Sequence, residues 1–439
     1  MQIALNSVRT LLFRVVYVGL GWMLSVLTAR WLGPQGNGLF TLATIYGTIG
    51  TTLMSGGVAA VAYEISNKGS DARSAAANVG VLSLATGLVP ALLAVATWPL
   101  LAAHGWWWLL PVALAQPAAL LGAALVGVFL GTDDIRRLNY AYVGPWAATL
   151  LIFILMATLF GRTVQVALDS WALGQGVAAV YSLWLCRSHW APLDFAAITF
   201  RRLNNLLTFG VQAGLANLVS FLNYRMDAIM VELFLGQREL GIYGVGVRVA
   251  EGLWFFSQAI MTAAYASIGS LSAEESARLT ARGMRHSLFI IGVIAITLLL
   301  VADPLLRLLY TDTYRAAVVP FRWLVPGIAC YGLASVLSAY YTNQRGHPHV
   351  PLAIAGLSTL LNLGACVFLI PALGLAGAAI ASTLGYTVAI VAGVVAFQRS
   401  SRLPWHEILL INGGDLRDYR RLMQKLLTLV RPVLPAPSP

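Results

Sequence analysis

The chain has 439 residues, of which 59% are hydrophobic and only 10% charged, with a formal net charge of +11 and a mean hydropathy of +0.77. An ordinary soluble domain carries about 25% charged residues, so this composition excludes a large soluble domain and identifies an integral membrane protein. The positive charge does not signal nucleic acid, because the basic residues sit mainly in short loops between apolar segments.

A membrane-crossing helix needs about 20 apolar residues. The pattern predicts twelve spans, at 10–32, 38–63, 76–102, 107–130, 139–160, 166–186, 205–235, 240–269, 286–303, 317–341, 351–371 and 374–397. They are too long and too uniformly apolar for the alternating strands of a membrane barrel. The N-terminus lacks a small-residue cleavage site and reads as a retained first helix. An even number of spans puts both termini on one side. Loops on that side carry Arg9, Lys68, Arg73, Arg136, Arg137, Arg187, Arg201 and Arg202 among others, which predicts cytoplasmic termini by the positive-inside rule. Trp106, Trp107 and Trp108 then fall at the outer boundary, where indole rings act as anchors.

The polar stretch at 187–204 divides the spans into an N-terminal six-helix lobe, 1–186, and a C-terminal one, 205–397. A short motif repeats at the same point of each half: Leu32-Gly33, four residues, then Gly38-Leu39-Phe40; and Leu235-Gly236, four residues, then Gly241-Ile242-Tyr243. A parallel repeat of two lobes about an axis along the membrane normal suits a transporter with a central cavity. The expected fold is thus an all-α membrane protein of about twelve helices in two six-helix lobes. A basic cytoplasmic tail follows at 398–439. Within it, 416–430 reads as an amphipathic helix whose Arg417, Arg420, Arg421 and Lys425 face either anionic lipid headgroups or the protein's own loops.

Charged groups inside spans carry the functional signal, since each costs about 2.5–3.5 kcal/mol near the bilayer centre. The segment from Phe221 to Glu251 holds Arg225, Asp227, Glu232, Arg248 and Glu251; Arg14 and Arg30 lie in the first span and Glu64 at the inner end of the second. Arg14, Arg225 and Arg248 read as a cationic wall for a phosphate-bearing substrate, because guanidinium stays charged and binds phosphate through two parallel hydrogen bonds. The competing reading pairs Arg225 and Arg248 internally with Asp227, Glu232 or Glu251. Asp227, Glu251 and Glu64 are candidates for charge pairing or for a coupling ion. Arg30 reads as an interfacial anchor.

No enzyme motif, metal spacing or cofactor site is expected. Cys186, Cys330 and Cys366 match no metal or redox spacing, and His347-Pro348-His349 lacks further ligands. Gly33, Gly36 and Gly38 follow no strand and read as turn glycines. No Walker phosphate loop is present. Asp133-Asp134 before Arg136-Arg137 reads as a solvated loop.

The segments ARWLGPQGNGLFTLA from Ala29, NYRMDAIMVELFLGQRELGIYGVGVRVAEGLW from Asn223 and NQRGHPHVPLAIAGLSTLLNLGACVFLIPALGLAGAAIAST from Asn343 resemble bacterial polysaccharide flippases of the multidrug, oligosaccharidyl-lipid and polysaccharide exporter superfamily. The resemblance runs over about residues 1–400. It implies a multi-pass protein of the bacterial inner membrane that moves an undecaprenyl-pyrophosphate-linked oligosaccharide between leaflets by alternating access. Coupling would be to a proton, sodium or the membrane potential, and a polymerase and glycosyltransferases would be partners. In relatives, arginines of the first and eighth helices line the cavity, and Arg14 and Arg248 stand at comparable places; Arg225 and Asp227 correspond to an arginine and aspartate of the seventh. Two other readings remain: a membrane component of a synthase-dependent secretion complex, and a cation-coupled multidrug antiporter.

Overall fold

A computed structural model describes residues 2–54, 56–68, 71–187, 198–257, 271–347 and 349–415. Among these, every regular element is helical. In chain order they are α1 (Gln2–Met54), α2 (Gly56–Lys68), α3 (Ala72–Ala96), α4 (Trp98–Ala103), α5 (Leu109–Leu114), α6 (Gln116–Gly131), α7 (Ile135–Phe160), α8 (Val164–Cys186), α9 (Phe200–Leu235), α10 (Gln237–Glu251), α11 (Ala273–Leu300) and α12 (Ala302–Tyr310). A 3-10 turn at Asp312–Ala317 leads to α13 (Val318–Tyr331) and α14 (Leu333–Ala339), a π turn at Tyr340–Gln344, then α15 (His349–Leu373), α16 (Leu375–Ser401) and α17 (Trp405–Leu409).

Among the described residues, nine helices are long and apolar enough to cross a membrane. The first, Leu12–Leu53, has 42 residues, about twice what a hydrocarbon core of about 30 Å requires at 1.5 Å per residue. It contains two arms separated at Gly33, whose φ of 69° and ψ of 178° are non-helical. Glycine tolerates this positive φ, and Pro34 starts the next arm without needing a backbone donor. With α8, of 23 residues, and α10, which begins the eighth span, the protein is an all-helical membrane protein of about twelve spans. The part of that span beyond residue 257, the segment at 188–197 and the amphipathic tail helix with Arg417, Arg420, Arg421 and Lys425 lie outside the described residues.

The repeat is visible in the backbone. Gly236, 203 positions after Gly33, takes φ 92° and ψ 179° between α9 and α10. The same shift carries α5 at Leu109–Leu114 onto the 3-10 turn at Asp312–Ala317. Of the three glycines expected in the first turn, only Gly33 has positive φ. Gly36 and Gly38 are helical, where the lack of a side chain serves close packing.

Asp134 does more than fill a solvated loop. Asp134 caps α7 by accepting from the Arg137 backbone N–H and pairs with its guanidinium at 3.2 Å. Thr163 caps α8 and Thr199 caps α9 in the same way, while Ser272 and Glu275 form a reciprocal capping box on α11.

The chain groups into two compact units. One comprises the chain up to Arg248 with Ala302–Phe321 and Thr359–Ser382; the other comprises Val249–Val301, Arg322–Ser358 and the chain from Thr383 on. The first has a core of Val61, Leu125, Val128, Phe129, Cys186 and Leu206, each at most 1% exposed. Small residues bring its helices together, as where Gly127 of α6 meets the Val58 backbone and Gly87 of α3 meets Pro117. Such contacts substitute for the hydrophobic drive that lipid does not supply. Leu151, Leu155 and Leu159 of α7 remain exposed, as a face toward hydrocarbon requires.

Candidate functional site

Asp227 is the most deeply placed of the expected charged groups, at 1% exposed. It lies in α9 about two and a half turns before the Gly236 break. Its Oδ1 accepts the Ala228 N–H at 2.8 Å, and its Oδ2 accepts the Tyr243 hydroxyl at 2.6 Å and the Ser382 hydroxyl at 2.8 Å. Asn362 donates in turn to Ser382 Oγ at 2.8 Å, and the Cys366 thiol donates to Asn362 Oδ1 at 3.3 Å. The carboxyl thus joins α9, α10, α15 and α16 through groups that are all buried. Burial of a carboxylate this deep is tolerable only with such donors, because an unpaired charge would be strongly penalised.

The repeat sharpens the assignment. The positions 203 residues before Asp227 and Tyr243 are Leu24 and Phe40, also buried, at 6% and 7% exposed. Equivalent backbone positions are therefore apolar in the first half and hydrogen-bonded polar in the second. Leucine and phenylalanine fill the equivalent places in the first half, so apolar packing there does not by itself require the carboxyl and phenol.

The three expected arginines all belong to the first unit but occupy separate surroundings. Arg14 is exposed on α1, within electrostatic reach of the Tyr142 hydroxyl on α7. Arg225 is half-buried beside Asp227 and donates to the Tyr224 carbonyl at 3.3 Å. Arg248 is half-buried near the end of α10, within electrostatic reach of the Tyr310 hydroxyl, which lies 3.4 Å from Ser25 Oγ. Glu64 is half-buried on α2, and Glu251 is half-buried at the end of α10, in the second unit.

Arg30, expected as an interfacial anchor, also makes a contact that the sequence does not reveal. Its Nε donates to the Leu309 carbonyl at 2.7 Å and its Nη2 to the Leu308 carbonyl, so it caps the C-terminal carbonyls of α12. Tyr314 reinforces this join by donating to the Ala29 carbonyl at 2.8 Å. The tryptophan cluster is likewise divided: Trp106 is 52% exposed, whereas Trp108 is buried at 6% against Tyr46.

In the second unit, Arg285 of α11 is buried in an ion pair with Asp415, Nε to Oδ2 at 2.9 Å, and also donates to the Glu407 carbonyl. Burial by itself would raise the Asp415 carboxyl; the Arg285 hydrogen bond, the Asn412 N–H and the neighbouring positive charge outweigh it and hold the group below the usual carboxylate range. No cluster of three or more metal-ligating side chains occurs among the described residues.

The fold is that of the multidrug, oligosaccharidyl-lipid and polysaccharide exporter (MOP) superfamily. The structure of the lipid II flippase MurJ in an inward closed conformation is similar over 95% of this chain and 92% of its own, with a TM-score of 0.72 at 15% identity. An inward-facing multidrug resistance MATE family transporter of the superfamily gives 0.71 at 15% identity, over 91% of this chain and 98% of its own. A superfamily transporter from Pyrococcus furiosus, described as having a binding pocket of reversed polarity, gives 0.59 at 16% identity over 90% and 95%. No curated protein matches the sequence. The model of a family described as polysaccharide biosynthesis proteins matches residues 27–319, two thirds of the chain, and with this match on a transporter fold the protein belongs to that polysaccharide biosynthesis family.

Proposed function

We propose that the protein is a flippase that carries an oligosaccharide linked to undecaprenyl pyrophosphate from the cytoplasmic to the periplasmic leaflet of the bacterial inner membrane. The observation that carries this reading is the polysaccharide biosynthesis family match on a transporter fold whose spans contain Arg14, Arg225 and Arg248. Guanidinium groups at membrane depth suit a pyrophosphate, which must shed water to cross. Residues 1–186 and 205–397 act as two lobes that alternate access, with both termini cytoplasmic. Asp227, tied to α10 by Tyr243 and to α16 by Ser382, couples that movement to an exchanging proton or sodium ion, with Glu64 and Glu251 as further charge partners. Glycosyltransferases supply the substrate and a polymerase consumes the product.

A multidrug antiporter would need an acidic group open to a cationic drug. The Asp227 carboxylate is instead occupied by three donors and buried, which favours the flippase. The test is reconstitution into liposomes with a polyprenyl-pyrophosphoryl oligosaccharide and, separately, a cationic dye. Movement of the lipid-linked sugar is expected; movement of the dye alone overturns the proposal.

A further inference from the structure

On the face shared by α1 and α7, three aromatic side chains lie in one strip. The Tyr17 ring stands edge-on to Tyr142 at 6.4 Å between centroids and to Trp146 at 5.6 Å. Gly21, one turn beyond Tyr17, faces the Trp146 indole, where a β-carbon would lie in ordinary contact at 3.7 Å. Arg14 continues the strip in the other direction, beside Tyr142. Positions 14, 17 and 21 share one face of α1 and positions 142 and 146 one face of α7.

The strip is open: Tyr142 is 50% exposed, Tyr17 36%, and Arg14 is exposed as well. From Arg14 to Gly21 it runs about 10 Å along the helix. A headgroup anchor sits at one level, whereas this strip continues inward with a phenol, a second phenol and an indole, each pairing a polar tip with an apolar face. Hydrocarbon chains make no use of those tips. A sugar ring does, because its C–H faces lie on aromatic rings while its hydroxyls bond the phenols. A phosphate attached to that sugar would meet the guanidinium at the end of the strip.

We propose that Tyr17, Tyr142 and Trp146 form the subsite for the phosphate-proximal sugar of a pyrophosphate-linked saccharide, with Arg14 on the phosphate. This rests on the flippase reading and specifies where the sugar is recognised.

The experiment measures binding of two probes to the purified full-length protein in nanodiscs of zwitterionic lipid: a short-chain polyprenyl-pyrophosphoryl monosaccharide and the same polyprenyl pyrophosphate without sugar. Tyr142→Ala and Trp146→Ala should weaken the sugar-bearing probe about tenfold and leave the sugar-free probe unchanged, while Tyr142→Phe, which keeps the ring, loses less. Thermal unfolding of each variant gives the fold control, and Trp146→Phe replaces Trp146→Ala if the latter fails to fold. Equal loss for both probes, or no loss for either, overturns the subsite while leaving the flippase reading intact. Competition by an anionic phospholipid for the strip, with no preference for the sugar-bearing probe, assigns it to a lipid headgroup and also overturns the subsite. Failure of the wild type to bind either probe overturns both.

Discussion

Gly38 and Gly241 are packed against each other reciprocally. A β-carbon on Gly38 would overlap the Gln237 carbonyl, and one on Gly241 would overlap the Pro34 carbonyl; Pro34 and Gln237 are separated by the same 203 positions as the two glycines. The two copies of the repeated motif therefore meet as a pseudo-twofold pair in which each helix start fits only where the other lacks a side chain. Asn37 fastens the seam by donating to the Gly241 carbonyl at 3.2 Å.

A seam this close leaves no room for a methyl group on either side. Gly38→Ala or Gly241→Ala is expected to destabilise this join by about 1–3 kcal/mol, whereas Gly19→Ala, with nothing within 4 Å of the new methyl, serves as a neutral control. The measurement is the rate at which a maleimide labels Asn37→Cys in protein lacking its native cysteines. Faster labelling in the Gly241→Ala background supports a separable seam; an unchanged rate means that the join is permanent.

The helical, multi-span character of about twelve spans and the repeat are legible because they depend on local composition: runs of about 20 apolar residues, and glycine where the chain must take positive φ. The partners of Asp227 are not. Ser382 reaches it across 155 positions, and neither Ser382 nor Asn362 differs in type from many packing residues in apolar helices. The Arg285–Asp415 pair is likewise invisible in the sequence, since its members stand 130 positions apart. The one usable signal lay in comparing the halves, where Leu24 and Phe40 stand at the places of Asp227 and Tyr243.

That contrast gives the second prediction. Tyr243→Phe removes one donor from a buried carboxylate and should lower stability by about 1–3 kcal/mol, read by chemical denaturation in detergent. Asp227→Asn keeps the shape and removes the charge. It is expected to insert and fold, and to transport without responding to an imposed proton or sodium gradient. A gradient response equal to wild type would make the cluster structural.

The tail contact predicts a pH dependence. The Asp415 carboxyl is held below its ordinary value of 3.8, so its contribution to docking is fully present above about pH 4 and is lost as pH falls through the lowered value. Asp415→Ala should release the segment at neutral pH, because it leaves Arg285 buried without its partner, at a cost of about 3–5 kcal/mol. Hydrogen exchange at Trp405–Leu409 reads both effects. Exchange in Asp415→Ala as slow as in wild type would show that α17 docks without the ion pair.

Arg248 separates a chemical role from a structural one. If it holds phosphate, the fork geometry of guanidinium matters and not only its charge, so Arg248→Ala and Arg248→Lys should both lower lipid-linked sugar movement, by about tenfold or more for alanine. If it only stabilises the surroundings of Tyr310, near which it lies, lysine should restore most of the function and the thermal stability of the alanine variant should fall in step with its activity. Transport by both variants in liposomes, measured beside their unfolding midpoints, decides between these. Full activity in both, with intact folding, removes Arg248 from the substrate path and leaves Arg14 and Arg225 as the remaining cationic contacts.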